Sequence, residues 1–519
     1  MKLLELLGQL VADEQNIGAM EISGISQNSR EIVAGDLFLA CAGSRGTHGI
    51  AYAGEAAKNG AVAIIWEPTE ELQNMPEQFV VQRETSAQEK YEQWVPLIRL
   101  GNLHELAGEI AARFYAKPTA QMNIIGITGT NGKTSISYFV AQSIDSQQAC
   151  GVLGTLGNGI FDHSYRAIKE SSHTTADAVS IQAMMATMQE QGAQHVVMEV
   201  SSHALDQGRV LGVNFDLAIF TNLSRDHLDY HGDLESYAKA KRKLFLSQSL
   251  DAAIINQNDM EGRYLIAALE QQKKKVISYA ISHTGNLQQA ASVYAKNIQS
   301  LLNGSLFDLC IGAKQQQIKL ALLGEFNISN ALATAGVMLA MNYDFETIVA
   351  RLQELKSVPG RMEVINVDLE RSQALLIVDY AHTPDALEQA LKAIQSHVKA
   401  SDGSKIWCVF GCGGNRDKGK RQLMGEIACN TADQIVLTND NPRDEEPRAI
   451  VEDIEQGIKA EQVYHVELDR SAAIKLAIQS AHVNDVILVA GKGHESYQEI
   501  KGVRNYYSDQ QVIREIIAG

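Results

Sequence analysis

No run of about 18 apolar residues occurs anywhere in this chain, so nothing in it reads as a membrane span. Its six cysteines, at 41, 150, 310, 408, 412 and 429, show neither CxxC pairs nor zinc-ligand spacing. That leaves no disulfide framework to expect and fits a reducing cytoplasm. Positive charge is scarce: 45 Lys and Arg face 62 Asp and Glu, for a net charge of −17. The short basic run KRKLF at 241–245 does not overcome that balance, which argues against a nucleic-acid backbone as partner. Proline is also sparse, 8 residues against a hydrophobic content of 45%, which argues against long disorder. The leucine-rich start MKLLELLGQL is interrupted by Glu5, followed by Asp13-Glu14, and lacks a small-residue cleavage site. It reads as an amphipathic first helix rather than a signal peptide.

What is present begins with Asn123 to Ser135, NIIGITGTNGKTS. An apolar run ends in Gly129-Thr130-Asn131-Gly132-Lys133-Thr134, and SISYFVAQSI continues at helical spacing from Ser135 to Ile144. Strand, glycine-rich turn and helix form the layout of a phosphate-binding loop. Backbone N–H groups can close round phosphate oxygens, and the helix N-terminus adds partial positive charge. Lys133 is placed to reach the β- and γ-phosphates, with the Thr134 hydroxyl a ligand for Mg²⁺. The glycines fall at 126, 129 and 132, with Ile127 where the strict pattern has its first glycine. A tight turn that happens to end in Gly-Lys-Thr is the bland alternative; the flanking strand and helix favour a nucleoside triphosphate site.

At 519 residues the chain is too long for one core, and two to four domains are expected. Residues 1–105 form a small α/β unit, with strands in GDLFLACAG (35–43) and AVAIIWE (61–67) and a polar surface excursion from Pro68 to Tyr91. Residues 106–355 hold the phosphate loop and the buried runs HVVMEVSSH, LAIFTNLSRDH and AAIINQND. Ligands of parallel α/β sheets lie beyond the carboxyl ends of the strands, so Glu199 and His227 are expected near the phosphates, a carboxylate and an imidazole suited to a Mg²⁺–triphosphate site. The cluster Asp226, His227, Asp229, His231 and Asp233 lacks HExxH spacing and cysteine, which argues against an independent transition-metal site. GDLESYAKAKRKLF reads as a helix beginning near Asp233. After the Pro-Gly punctuation of KSVPGRME, residues 356–519 carry ALLIVDYAHTP, IWCVFGCGG, DQIVLTNDNPR and DVILVAGKGHE, each an apolar run ending in a polar or glycine-rich cluster. This predicts a doubly wound, Rossmann-like α/β domain, with Arg416, Lys418, Lys420 and Arg421 offering an anion site.

Together, TGTNGKT, MEVSSHAL, TNLSRDHLDYHG, GEFNISNALA, VPGRME, DYAHTPDAL and GKGHE resemble the Mur ligases, three-domain ATP-dependent enzymes of cytoplasmic peptidoglycan synthesis, over almost the whole chain. The resemblance implies a small N-terminal α/β domain (1–105) for the UDP-muramoyl substrate. It implies a central P-loop ATPase domain with a parallel sheet (106–355) and a C-terminal amino-acid domain (356–519). The nucleotide site would use Gly129, Thr130, Asn131, Gly132, Lys133 and Thr134, with Asn327, Arg361, Asp379 and His382. Two Mg²⁺ ions would be held by Thr134, Glu199, His227 and Lys241, the last as an N6-carboxylysine, and catalysis would rest on Lys133, Glu199, His227 and Lys241. Carbamylation has a physical logic: CO₂ adds to a neutral amine and leaves an anionic oxygen ligand where a cation stood.

Matched positions for the UDP-muramoyl substrate are Ser29, Ser44, Arg45, Gly46, Thr174, Thr175, Ser201, Gln207 and Arg209. His173 stands where close relatives are expected to have asparagine. The incoming amino acid would meet Arg416, Asp440, Asn441, Pro442, Arg443, Gly491 and Glu495. The DNPR sequence at 440–443 resembles the branch taking meso-diaminopimelate, whose second amino-acid head needs a cation for its carboxylate and acceptors for its ammonium. Arg443 would take the carboxylate, Asp440 and Glu495 the ammonium, and lysine would leave Arg443 unpaired. The implied reaction phosphorylates the D-glutamyl carboxylate of UDP-MurNAc-L-Ala-D-Glu with ATP, and diaminopimelate attacks the acyl phosphate, in a monomer with a hinge near 355–360. A folylpolyglutamate synthetase lacks the first domain and DNPR, a lysine-adding relative lacks the arginine, and a non-catalytic nucleotide sensor needs no second metal site.

Overall fold

A computed structural model of the chain describes residues 1–11, 19–43, 47–72, 75–84, 90–144, 148–162, 164–169, 173–283, 291–301, 303–365, 374–398 and 403–518. They fold into two compact units, Met1–Ile277 and Ser278–Gly519.

The first unit opens with α1 (Leu3–Leu7), which buries Leu3, Leu6 and Leu7 on one face, the amphipathic pattern its leucines prescribe. Then come β1 (Gly24–Ser26), β2 (Asp36–Ala40), α2 (Ala53–Asn59), β3 (Ala63–Trp66), β4 (Gln78–Glu84), β5 (Lys90–Arg99) and α3 (Leu103–Phe114). The five strands pair in the order β1-β2-β3-β5-β4, all parallel except β4 against β5. Here the structure corrects the sequence reading. The polar stretch 68–91, expected as a surface excursion, contains β4 and the start of β5. Phe79 and Val81 pack on the core while Val80 is exposed, a period of two that the surrounding Glu and Gln obscure.

The same unit continues with β6 (Asn123–Thr128), α4 (Lys133–Ser143), β7 (Cys150–Gly154), β8 (Gly157–Asp162), β9 (Ser164–Lys169), α5 (Ala178–Glu190), β10 (His195–Glu199), α6 (Ser202–Asp206), β11 (Leu217–Phe220), α7 (Leu228–His231), α8 (Leu234–Arg242), β12 (Ala252–Asn256) and α9 (Met260–Gln271). These strands lie in the order β12-β11-β6-β10-β7-β8-β9. The five from β12 to β7 are parallel, while β8 and β9 form an antiparallel extension. From β6 the chain runs to one side through β7 and β10, then crosses to β11 and β12 on the other. That switch point puts the carboxyl end of β6, and the loop that follows it, where α/β sheets bind ligands. Helix α8 starts beside Asp233, as expected, and Asp233 caps it, accepting the Ser236 N–H at 2.7 Å.

Strand β13 (Val276–Ile281) leads into the second unit and pairs there with β14 (Val293–Leu301), which continues into an antiparallel meander with β15 (Gly304–Ile311) and β16 (Lys314–Leu320). Helices α10 (Glu325–Ala340) and α11 (Phe345–Gln353) follow. Next come β17 (Glu363–Val364), β18 (Ala374–Asp379), α12 (Pro384–Val398), β19 (Ile406–Phe410), α13 (Gly419–Thr431), β20 (Gln434–Leu437), α14 (Pro447–Glu455), β21 (Tyr464–Val466), α15 (Arg470–Ser480), β22 (Asp485–Ala490), the hairpin β23 (Tyr497–Ile500) and β24 (Val503–Tyr506), and α16 (Asp509–Ala518). The sheet order β17-β18-β22-β19-β20-β21, parallel apart from β17, is doubly wound as predicted. One face is covered by Leu391, Met424 and Ile454 from α12, α13 and α14, the other by Ile474 and Ile513 from α15 and α16. Within this unit, buried His397 of α12 accepts the Gly324 N–H at 2.8 Å and meets the Leu301 carbonyl at 2.6 Å, joining the meander to the doubly wound part.

Candidate active site

The phosphate loop is shaped by two glycines. Gly129 sits at φ 149°, and a Cβ there would lie 1.8 Å from the Thr221 hydroxyl; Gly132, at φ 88°, caps α4. Residues just past β11 brace the loop: Asn222 accepts the Asn131 N–H at 2.9 Å, and the Thr221 hydroxyl donates to the Asn131 carbonyl at 2.6 Å. The Lys133 ammonium folds back onto the carbonyls of Gly129 and Thr130 at 2.9 and 2.8 Å, over the mouth of the loop.

Glu199 ends β10 and is almost fully buried beside this loop. Three donors converge on its carboxylate: the hydroxyls of Thr134 at 3.0 Å and Thr155 at 3.1 Å, and the Thr155 N–H at 2.8 Å. Gly154 permits the approach, since a Cβ there would fall 2.2 Å from the carboxylate. Thr155 was missed in the sequence, although it stands at a strand end in GTLGNG, where polar residues of this sheet face the ligand side. The Thr134 hydroxyl and Glu199 carboxylate are hard oxygen donors side by side and fit Mg²⁺. No group of three or more His, Cys, Asp or Glu able to cage a metal exists among the described residues.

Lys241 of α8 is buried against the same loop. Its ammonium donates to the Gly129 carbonyl at 2.8 Å and lies 4.2 Å from the centre of the Tyr237 ring. Burial, with the neighbouring Lys133 charge, pushes its pKa well below the ordinary lysine range. The neutral amine so favoured is the form that takes up CO₂, so the site fits a carboxylysine. His227 was expected at a strand end and is found elsewhere: β11 stops at Phe220, and His227 is the left-handed N-cap of α7 at φ 53°. The polar sequence TNLSRD cannot extend a buried strand, so the imidazole arrives on a loop. It is half-exposed, 3.3 Å from the Asp226 carboxylate, with the His203 ring edge-on at 4.9 Å. Burial, helped by His227, His231 and Arg209, pushes the His203 pKa down to about 4 and keeps that ring neutral.

Two clefts of about 600 and 720 Å³ share His173, Asp177 and Arg209. Thr174 and Thr175 line the first, and Gln207 lines the second. Arg209 donates to the Thr175 carbonyl at 3.0 Å and to the Gln207 amide oxygen at 2.9 Å, and the Thr175 hydroxyl accepts the Ser201 N–H at 3.0 Å. These expected substrate residues therefore form one network. Ser29 stands in a different one, donating to the Glu55 carboxylate at 2.5 Å. Ser44, Arg45 and Gly46 lie outside the described residues.

In the second unit, Arg361 stacks 4.9 Å over the Tyr380 ring, and its Nε is buried without a hydrogen-bond partner. The Asp379 carboxylate accepts the N–H groups of Met362 at 2.6 Å and Ala381 at 2.8 Å, and burial raises its pKa. His382 bonds the Tyr380 carbonyl at 2.8 Å while its own carbonyl accepts from Lys420 at 2.8 Å. Asn327 is buried in α10, donating to the Leu323 carbonyl at 2.8 Å.

The amino-acid residues converge round a lysine the sequence reading passed over. The Lys492 ammonium, fully buried, meets Asp440 at 3.3 Å, Asn441 at 3.1 Å and Glu495 at 3.3 Å. Asn441 also donates to Glu495 at 2.9 Å, and Gly491, at φ 114°, brings the backbone against Asp440. A lysine between two glycines at a strand end was the available signal. Arg443 is already engaged, with its Nε 3.3 Å from Glu499 and its Nη1 donating to the Gly414 carbonyl at 2.8 Å. The expectation that lysine would leave Arg443 unpaired is therefore modified, because Glu499 and the Gly414 carbonyl are partners within the protein. Arg416 is exposed, and Pro442 contributes its carbonyl to the turn at Glu445. Arg421 is corrected as an anion ligand: it is buried and bound at 2.8–3.0 Å by Asp453 and Glu445, and Lys418 also faces Glu445.

Family comparisons agree along the chain. The Mur ligase family catalytic-domain model matches residues 21–115, the Mur ligase middle domain 127–338, and the Mur ligase glutamate ligase domain 360–493. A UDP-N-acetylmuramoyl-L-alanyl-D-glutamate–2,6-diaminopimelate ligase of Coxiella burnetii is 45% identical over 480 residues, 92% of each chain. The chain belongs to the Mur ligase family. Like its members, it is an ATP-dependent, amide-forming ligase with the three-domain Mur architecture. A ligase of the same description from Xylella fastidiosa is 42% identical over 516 residues, 99% of this chain and 97% of its own. A solved structure of such a ligase superposes with a TM-score of 0.70 at 35% identity, covering 100% of this chain and 99% of the other. No helix among the described residues is long and apolar enough to cross a membrane.

Proposed function

We propose that the chain joins meso-2,6-diaminopimelate to the D-glutamate of UDP-N-acetylmuramoyl-L-alanyl-D-glutamate at the expense of ATP, as a cytoplasmic monomer. The observation that carries this reading is the pocket of Asp440, Asn441 and Glu495 beside Arg443. Two carboxylates with a guanidinium on their flank match a ligand end that carries both an ammonium and a carboxylate. Three functional domains are assigned, 1–105 for the UDP-muramoyl substrate, 106–355 for ATP and 356–519 for the amino acid, with a hinge near 355–360.

Lys133, the loop N–H groups and the α4 N-terminus would hold the triphosphate and neutralise charge on the transferring phosphoryl group. Thr134, Glu199, His227 and a carboxylated Lys241 would hold Mg²⁺, which when bound supplies Lewis-acid neutralisation of phosphate charge. Asn327, Arg361, Asp379 and His382 would complete the nucleotide site, and the buried Nε of Arg361 that lacks a partner supports this assignment. The D-glutamyl carboxylate, positioned through the network of Thr174, Thr175, Ser201, Gln207 and Arg209, takes the γ-phosphoryl group and releases ADP. The amine at the L-centre of diaminopimelate attacks that acyl phosphate, the amide forms, and phosphate leaves with the amine proton lost to solvent or a base.

The test is phosphate release with Mg²⁺–ATP and UDP-MurNAc-L-Ala-D-Glu, comparing meso-diaminopimelate with L-lysine. Turnover with diaminopimelate alone, and a product heavier by that residue, is the expected result. Equal use of lysine would overturn the diaminopimelate assignment, and silence with both would overturn the activity.

A further inference from the structure

We propose that Lys492 is the specificity-positioning residue of the amino-acid pocket: it clamps Asp440 and Glu495 into a single receptor for the distal ammonium of the incoming diamino acid. This rests on the diaminopimelate reading of that pocket and goes further, because it assigns selection between ligand ends to a residue that need not touch the ligand.

The geometry argues for a positioning task. An ammonium has three N–H donors, and those of Lys492 have three acceptors at 3.1–3.3 Å, on Asp440, Asn441 and Glu495. These acceptors come from two loops, one after β20 and one after β22. Without a cation between them, the carboxylates of Asp440 and Glu495 would repel and turn toward solvent. With it, each spends one oxygen on Lys492 and keeps further lone pairs for a ligand. The charges allow this. Two carboxylates and one ammonium leave one net negative charge, while the adjacent Arg443 and Glu499 form a neutral pair. Lys492 therefore holds the two carboxylates together without cancelling their attraction for an ammonium, and selection rests on their placement rather than on the size of the charge.

The buried pair of Arg470 and Asp509 shows the contrast. It too is fully buried, yet beyond Asp509 the Arg470 guanidinium donates to backbone carbonyls, those of Asn439 and Ala490. Lys492 instead donates to side chains of the pocket, those of Asp440, Asn441 and Glu495.

The experiment compares meso-diaminopimelate with 2-aminopimelate, which keeps the reacting amine and the distal carboxylate but lacks the distal ammonium. In the Lys492→Met enzyme, KM for diaminopimelate is expected to rise roughly 30-fold or more, the loss of charge-assisted contacts. The preference for diaminopimelate over 2-aminopimelate is expected to collapse by a similar factor, with KM for ATP moving less than about threefold. A fold-wide role would raise every KM in parallel and keep the preference, and that result overturns the proposal. If Lys492→Met does not fold, Lys492→Gln, which keeps a hydrogen-bond donor without the charge, takes its place, and its preference is again expected to approach one. A wild-type enzyme inactive with diaminopimelate would sink the functional reading itself; an active wild type with an unchanged preference in the variant would sink only the role of Lys492.

Discussion

The Arg470–Asp509 pair allows a stability prediction that can be worked through. Both side chains are fully buried and joined by two parallel bonds, Nε to Oδ1 and Nη2 to Oδ2, each 2.8 Å. Arg470 further donates to the Ala490 carbonyl at 2.9 Å and the Asn439 carbonyl at 3.3 Å, the residues immediately before Gly491 and Asp440. Asp509→Ala strands the guanidinium in the core with two carbonyls in place of a counter-ion. Breaking a buried pair in this way costs about 3–5 kcal/mol. For a cooperative unit of about 240 residues, Ser278–Gly519, each kcal/mol moves Tm by about 2–4 °C, so a fall of about 6–20 °C is expected. Replacing both partners by apolar residues, Arg470→Met with Asp509→Leu, removes the stranded charge and should recover most of that loss. Thermal unfolding of wild type, both single variants and the double variant, followed by far-UV circular dichroism, measures the coupling. A single variant within about 2 °C of wild type, or a double variant less stable than Asp509→Ala, would refute the reasoning.

Gly129→Ala places a methyl 1.8 Å from the Thr221 hydroxyl at a φ of 149° that side chains rarely adopt, so both Tm and phosphate release should fall; wild-type phosphate release would contradict the loop geometry. Lys133→Ala should cut phosphate release by roughly 100-fold or more while leaving Tm within a few degrees; full turnover would refute the phosphate-loop assignment. Bonding to Arg421, joined by Asn415 and Lys418, lowers the Glu445 pKa from 4.5 to about 2. A depressed folded-state pKa means the stabilisation is fully present above about pH 4.5 and fades as pH falls toward 2. Glu445→Gln should therefore be less stable than wild type at neutral pH and converge with it in acid; a pH-independent gap would be the contrary result.

Much of this protein was legible in its sequence because apolar runs with abrupt polar ends can only be buried strands feeding loops. The strand, turn and helix from Asn123 to Ser143, the helix that starts beside Asp233 and the doubly wound order of the second unit all follow from local chemistry. Glu199 was equally readable, being the last residue of a five-residue buried strand. Local pattern failed where charge masked alternation, as in β4, and where a loop's path decided position, as with His227. It failed also for cations, since sequence cannot say what a basic residue faces. Arg421 looked like an anion site and is consumed by Glu445 and Asp453, while Lys492 looked incidental and joins the side chains of the pocket. The sequence alone determined most of the buried strands, the loops at their ends and the family they belong to. Only the tertiary structure decided which charges are spent inside the protein and which are left for a ligand, because pairing depends on distances between segments far apart in the chain.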